Sequence, residues 1–376
     1  MYQYHNKGIY KCNGKLFFSK IEAVLEANAS GQYIEWDYHG QIFDNAKWDI
    51  EPPVDLEVLY KERALQLRDN YDHLVLCYSG GVDSWYILKT FIDNNIKLDE
   101  IYIYGAWKAE EKEYNNLGYD RSPGYYTREI NESIPLVKKL IENKGIKLNL
   151  FDWTETIVNA ADSRDWFIAA GTRFDPTCMV RPQFHKIFRE HSDLTNKGKK
   201  VGFIFGVDKP RLIRDDSSVY FAFLDVIMTT GTVPSSDILG ESWENDEYFY
   251  WTPNMPELAI KQSHMALRWF KDNNRITTIK HIDNIAAFHD EEYYKCINRI
   301  IYPKWNHDTW QIQKPSGAVY NELSAWFYKD YPEATHKWES SLGEIQRLCG
   351  EKWFNGGLVR NGLRGHLSPK YRIGNY

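Results

Sequence analysis

The stretch Ser79-Gly80-Gly81-Val82-Asp83-Ser84 constrains the architecture of this chain more than any other, because of what flanks it. Before it, His73-Leu74-Val75-Leu76-Cys77-Tyr78 is apolar enough for a buried strand. After it, Trp85 to Asn95 places Ile87, Leu88, Phe91 and Ile92 on one helical face. The order is strand, glycine turn, helix. Two adjacent glycines let the main chain turn tightly and come close to an anion, and the N–H groups and dipole of a starting helix favour negative charge there. Ser79 and Ser84 add hydroxyl donors. The turn reads as a phosphate cradle; the structural alternative is a helix-capping turn with Ser79 or Asp83 as N-cap.

The Walker spacing G-x-x-x-x-G-K-[ST] is missing, and no lysine sits in the turn. The six residues instead resemble the S-G-G-x-D-S loop of the PP-loop ATP pyrophosphatases. That superfamily includes asparagine, GMP, argininosuccinate and NAD synthetases, tRNA-modifying and deazaguanine-forming enzymes, and phosphoadenylylsulfate reductases. The resemblance implies a doubly wound α/β fold with a parallel five-stranded sheet in the order 3-2-1-4-5. It also implies ATP and Mg2+ as cofactors. Ser79, Gly80, Gly81, Val82, Asp83 and Ser84 would hold the β- and γ-phosphates, with Asp83 organising the loop and the metal. Gly105, closing the second strand, would lie beside the same cleft.

At 376 residues the chain is long enough for a sizeable core plus an appended module. Apolar residues make up 43% and charged residues 26%, the ordinary globular balance, with no run long enough for a bilayer span. The expectation is a cytoplasmic protein without membrane partners, since Met1 to Lys7 lacks a signal-peptide core. Cys12, Cys77, Cys178, Cys296 and Cys349 are scattered and form no C-x-x-C pair, which points to free thiols and away from zinc or iron-sulfur sites. A net charge of −6 argues against bulk nucleic-acid binding. The 14 Trp and 26 Tyr are spread along the chain, which favours core and interface over base stacking.

Three regions follow in order. Residues 1–51 read as a small α+β module. Ile9 to Cys12 and Lys15 to Phe18 flank the hairpin dipeptide Asn13-Gly14, and a capping box at Ser19 to Glu22 opens a helix ending before Gly31. Sheets and helices of this size need a partner surface. In glutamine-dependent members of the resembled family a cysteine follows the initiator methionine; Tyr2 stands there, so a glutaminase is not expected. Pro52-Pro53 marks the boundary to residues 54–240. Here Asp55 to Asn70 reads as a helix, and Leu98 to Tyr104, Lys147 to Phe151 and Lys200 to Phe205 as strands, with Phe221 to Met228 a candidate for one more. Trp107 to Arg128 is irregular, Trp153 to His191 is a series of short helical pieces, and the helix containing Pro135 should start near Ser133. Residues 241–376 read as helical, a substrate or homo-oligomerisation region, with helices expected over Pro256 to Asp272, Ile282 to Asp290, Glu291 to Ile301 and Asn321 to Lys329.

The pyrophosphate leaving group of such a reaction needs cations. Lys209 and Arg211, just past the fourth strand, are the catalytic candidates beside Asp83, with Arg214 close behind. Arg181, Arg214, Lys261 and His264 are candidates for the acceptor substrate, a small molecule or nucleotide; Tyr302-Pro303-Lys304-Trp305 is a further pocket-lining stretch. The layout Arg173, Cys178, Arg181, His185, Lys186 is loosely similar to the phosphoadenylylsulfate reductase branch. Asp208 stands where that branch has arginine, and only Leu348-Cys349-Gly350 answers its Glu-Cys-Gly motif. The reading is an ATP-dependent adenylating enzyme that releases AMP and pyrophosphate; a reductase-like enzyme and a non-catalytic nucleotide-binding scaffold remain as alternatives.

Overall fold

The computed structural model describes residues 8–17, 19–105, 107–108, 111, 129–152, 154–155, 192–225, 246–283, 291–305, 327–353 and 365–376. At the N-terminal end Asn13 and Gly14 take φ of 50° and 69°, the positive pair a two-residue hairpin requires. They join β1 (Ile9–Cys12) to β2 (Lys15–Phe17), and β3 (Glu35–Asp37) pairs with the other edge of β1. The Ser19 side chain accepts from the Glu22 N–H at the start of α1 (Lys20–Ser30), and Gly31 in the left-handed region ends it. A short α2 (Gly40–Phe43) follows.

This module borrows its core. Trp48 stacks on Tyr371 and Phe221 at 4.6 and 4.8 Å between ring centroids, and Phe43 meets Phe223 at 4.5 Å. One buried cluster therefore runs from Tyr10 to Ile373. A buried ion pair joins the same regions. Lys20 Nζ lies 2.5 Å from Asp225 Oδ2, both side chains are fully buried, and the Tyr10 hydroxyl and the His366 N–H donate to the same carboxylate at 2.9 Å each. Burial alone would raise the Asp225 carboxyl, but Lys20 and His366 outweigh it and hold it below the usual range.

From α3 (Leu56–Asn70) onward the pattern alternates: β4 (His73–Cys77), α4 (Val82–Asp93), β5 (Glu100–Gly105), α5 (Ile134–Ile141), β6 (Lys147–Asp152), α6 (Ser192–Asn196) and β7 (Val201–Phe205). Leu74 to Cys77 are buried, as a central strand covered on both faces must be. After β8 (Leu212–Arg214) and β9 (Ser218–Phe221), β10 (Asp246–Tyr248) joins the edge of β7. The result is an α/β sheet of five parallel strands in the order β10-β7-β4-β5-β6.

Two sequence expectations need correction. The third region was expected to be helical from residue 241, yet β10 completes the main sheet, so that boundary falls inside the α/β unit. Nor is the C-terminal end of that region helical. β12 (Tyr371–Asn375) pairs antiparallel with β9, and with β11 (Lys280–His281) it forms a second sheet in the order β11-β8-β9-β12. The strand expected over Phe221 to Met228 does not form as such: Phe221 is the last residue of β9, Leu224 makes only an isolated bridge to Leu367, and 226–228 lie outside the described residues. The helices α7 (Pro256–Asp272) and α8 (Glu291–Ile301) form over the expected residues, and α9 (Pro332–Cys349) is an addition. Among the described residues no helix is long and apolar enough to cross a membrane. The segments 112–128, 156–191, 284–290 and 306–326, which carry several sequence expectations, lie outside the described residues.

Candidate functional site

The glycine turn leaves the centre of the sheet at the C-terminal end of β4. Tyr78 still donates to the Tyr102 carbonyl at 2.9 Å, then Gly80 takes φ of 69°, a conformation side chains resist. Helix α4 begins at Val82, inside the motif rather than after it, with Gly81 as N-cap and no capping side chain. Asp83 is thus in the first turn of the helix and does not cap it. Ser84 Oγ accepts from the Ser79 N–H at 3.2 Å and donates to the Gly81 carbonyl at 3.1 Å, fixing the loop's shape. An uncapped helix start with a glycine ahead of it suits an anion.

The segment leaving β7 is pressed against this turn. A Cβ on Gly206 would stand 3.1 Å from Asp83 Cβ and 3.2 Å from Ser84 N, so any side chain there would have to push the turn back by a few tenths of an ångström. Three residues later Lys209 Nζ meets Asp83 Oδ2 at 2.5 Å, with 13% and 19% of the two side chains exposed. Tyr302 donates to Asp83 Oδ1 at 2.7 Å, and Tyr250 donates to the Asp83 main-chain carbonyl at 2.9 Å. Burial disfavours the Lys209 charge, but Asp83 and Asp208 outweigh it and raise its pKa above the ordinary lysine value. Asp208 receives Arg211 through Nη2 at 2.6 Å and Nε at 3.2 Å, and the Lys209 N–H at 2.7 Å. Burial works against the Asp208 charge too; Arg211 and Lys209 prevail and its pKa falls. Arg211 Nη1 is buried without a hydrogen-bond partner among the described residues, and its guanidinium lies 5.9 Å from the Trp251 ring centre.

The structure therefore gathers the Ser79–Ser84 loop, Asp83 and Lys209 directly, and Arg211 through Asp208. Gly105 ends β5 beside β6, paired with Asp152. The acceptor candidates are placed otherwise. Lys261 Nζ is 2.9 Å from Glu51 Oε1 and 3.0 Å from the Pro52 carbonyl, and His264 Nε2 is 2.9 Å from the Trp48 carbonyl. These two residues fasten α7 to the segment leaving the N-terminal module, a structural task that accounts for their polar groups without a substrate. Arg214 donates to the Ile279 carbonyl at 3.0 Å and to the Tyr376 hydroxyl at 3.2 Å, on the second sheet. Arg181 lies outside the described residues.

Tyr250 and Tyr302 are neighbours of Asp83 that sequence reasoning did not assign; Tyr302 lies in a stretch noted only as pocket-lining. Phosphate fits the loop's N–H groups, hydroxyls and Lys209. Direct metal ligation by Asp83 fits less well, because its Oδ2 already faces an ammonium that a divalent cation would have to displace. No group of three His, Cys, Asp or Glu suited to a metal occurs among the described residues. Magnesium fits better as a companion of phosphate oxygens than as a protein-caged ion. Cys349 is buried, and burial pushes its thiol up to about 11, the profile of an unreactive cysteine.

Comparison with protein-family models and with curated proteins found no family and no characterised protein that matches this chain.

Proposed function

We propose that the protein is an ATP-dependent adenylating enzyme: the loop after β4 binds the pyrophosphate end of ATP, and an acceptor oxygen is adenylated. The observation that carries this reading is the meeting of an uncapped helix start, a left-handed Gly80 and the Lys209–Asp83 pair at the carboxyl end of the central strand. Ligands on parallel sheets bind where neighbouring crossovers diverge, and β4 lies between β5 and β7 at that point. Counted by chain position, β6-β5-β4-β7-β10 reads third, second, first, fourth, fifth, the order the resemblance implies. That agreement also supports the reading.

In the proposed reaction a carboxylate or amide oxygen attacks the α-phosphorus. The bond to the bridging oxygen breaks, and pyrophosphate leaves with the electron pair. The α4 N–H groups and Lys209 neutralise charge on the leaving pyrophosphate, as preorganised donors do in such transfers. Magnesium, when bound, would supply further neutralisation on the phosphate oxygens. Asp83 orients Lys209, and Tyr302 orients Asp83. A nitrogen nucleophile then displaces AMP. The reductase alternative loses support from the buried state of Cys349.

The test is incubation of the protein with magnesium, α-labelled ATP and panels of amino acids, nucleobases and nucleotides as acceptors. Formation of AMP and pyrophosphate with at least one acceptor is expected. ADP and phosphate as the products, or no heat on titrating an α,β-non-hydrolysable ATP analogue, would overturn the proposal.

A further inference from the structure

Ser133 closes an irregular helical turn, Glu129–Ser133, directly ahead of α5. Its side chain is fully buried, and its hydroxyl has no hydrogen-bond partner among the described residues. Serines in helical segments ordinarily bond back to a carbonyl one turn earlier, and a buried hydroxyl left unpaired lowers stability. The neighbour of this hydroxyl is the glycine turn. A Cβ on Gly80 would stand 2.6 Å from Ser133 Oγ and 3.2 Å from Ser133 Cβ. Gly80 brings no side chain between them, so the orphaned hydroxyl borders the loop that leads into an uncapped, twelve-residue α4.

We propose that Ser133 is a phosphate-binding residue supplied from outside the loop, its hydroxyl donating to an oxygen of the pyrophosphate group held at the start of α4. The inference rests on the nucleotide reading above and names one further binding residue for it. Ser79 and Ser84 partly satisfy each other. Ser133 instead carries a donor that the ligand would pair, and the feature that weakens the free fold becomes affinity.

Titration calorimetry with magnesium pyrophosphate and with the ATP analogue, on wild type, Ser133→Ala and Ser133→Cys, tests this, with thermal unfolding of each free protein alongside. Ser133→Ala is expected to bind pyrophosphate about 10-fold or more weakly, the loss typical of a hydrogen bond to a charged group. Its free form should unfold at the same temperature as wild type or higher, because an unpaired hydroxyl has been removed. Ser133→Cys, a weaker donor of similar size, should fall between. Wild-type affinity in Ser133→Ala, or a lowered unfolding temperature showing the hydroxyl to be structural, overturns the assignment and leaves the nucleotide reading standing. Absence of binding by wild type itself overturns both.

Discussion

Replacing Gly80 with alanine tests the loop geometry without any ligand. Two costs arise from the structure. At φ of 69° an alanine sits in the left-handed region, at about 1–2 kcal/mol. Its Cβ would also stand 2.6 Å from Ser133 Oγ in a buried setting, an overpacking worth about 1–3 kcal/mol. Together they predict a loss of about 2–5 kcal/mol in Gly80→Ala. The second cost is separable, since Ser133→Ala removes the oxygen and leaves Ser133 Cβ at 3.2 Å. A double-mutant cycle by urea denaturation should therefore return about 1–2 kcal/mol of coupling in favour of the double variant. A Gly80→Ala variant within about 0.5 kcal/mol of wild type, or a cycle additive to within about 0.5 kcal/mol, would refute the reasoning.

Asp83→Asn should abolish AMP formation while lowering stability by only about 1–3 kcal/mol, because Lys209 keeps some solvent when it loses its charged partner; wild-type turnover would remove Asp83 from the mechanism. Lys20→Met strands the Asp225 carboxylate in a fully buried site and should cost about 3–5 kcal/mol by chemical denaturation, far more than a surface lysine. The pH dependence of the Asp208 and Lys209 contributions follows from the direction of each shift. Asp208 is depressed from 3.8, so its share of stability is complete above that value and lost as pH falls through the lower folded one. Lys209 is raised from 10.5, so its share is complete below that value and lost as pH climbs through the higher folded one. Thermal unfolding scanned against pH should show these contributions flat across the neutral range; Lys209→Met should remove the alkaline step.

Local signals recovered much of the architecture. The Asn13-Gly14 turn, the Ser19 cap and the apolar strands at β4, β5, β6 and β7 each carry their geometry in a few consecutive residues. What escaped depends on partners far along the chain. Asp246-Glu247-Tyr248 is too acidic to look like a buried strand. It is one because Arg63 and the Tyr71 hydroxyl each meet Glu247 at 2.7 Å, and Arg63 is itself fully buried in α3. The short strands β8 and β9 pair with each other, but their sheet is completed by β11 and by β12, the latter about 150 residues beyond β9. The same holds at the site. Ser79 to Ser84 announce themselves by spacing, and Lys209 by following a strand. Tyr302 reaches Asp83 across 219 positions, and nothing local to it or to Ser133 points to the glycine turn. Lys261 and His264 show the converse: composition alone cannot tell a polar fastener from a pocket wall.

The segment from Gly206 to Arg211 is the end of one sheet and the beginning of another, since β7 runs into it and β8 out of it. A lysine on a tethered-at-one-end loop would forfeit much of its attraction for a ligand in being brought to rest. Here the span is pinned at both ends, so Lys209 is held at its post in the free protein, and on the proposed reading little conformational freedom would be left to lose on binding a ligand.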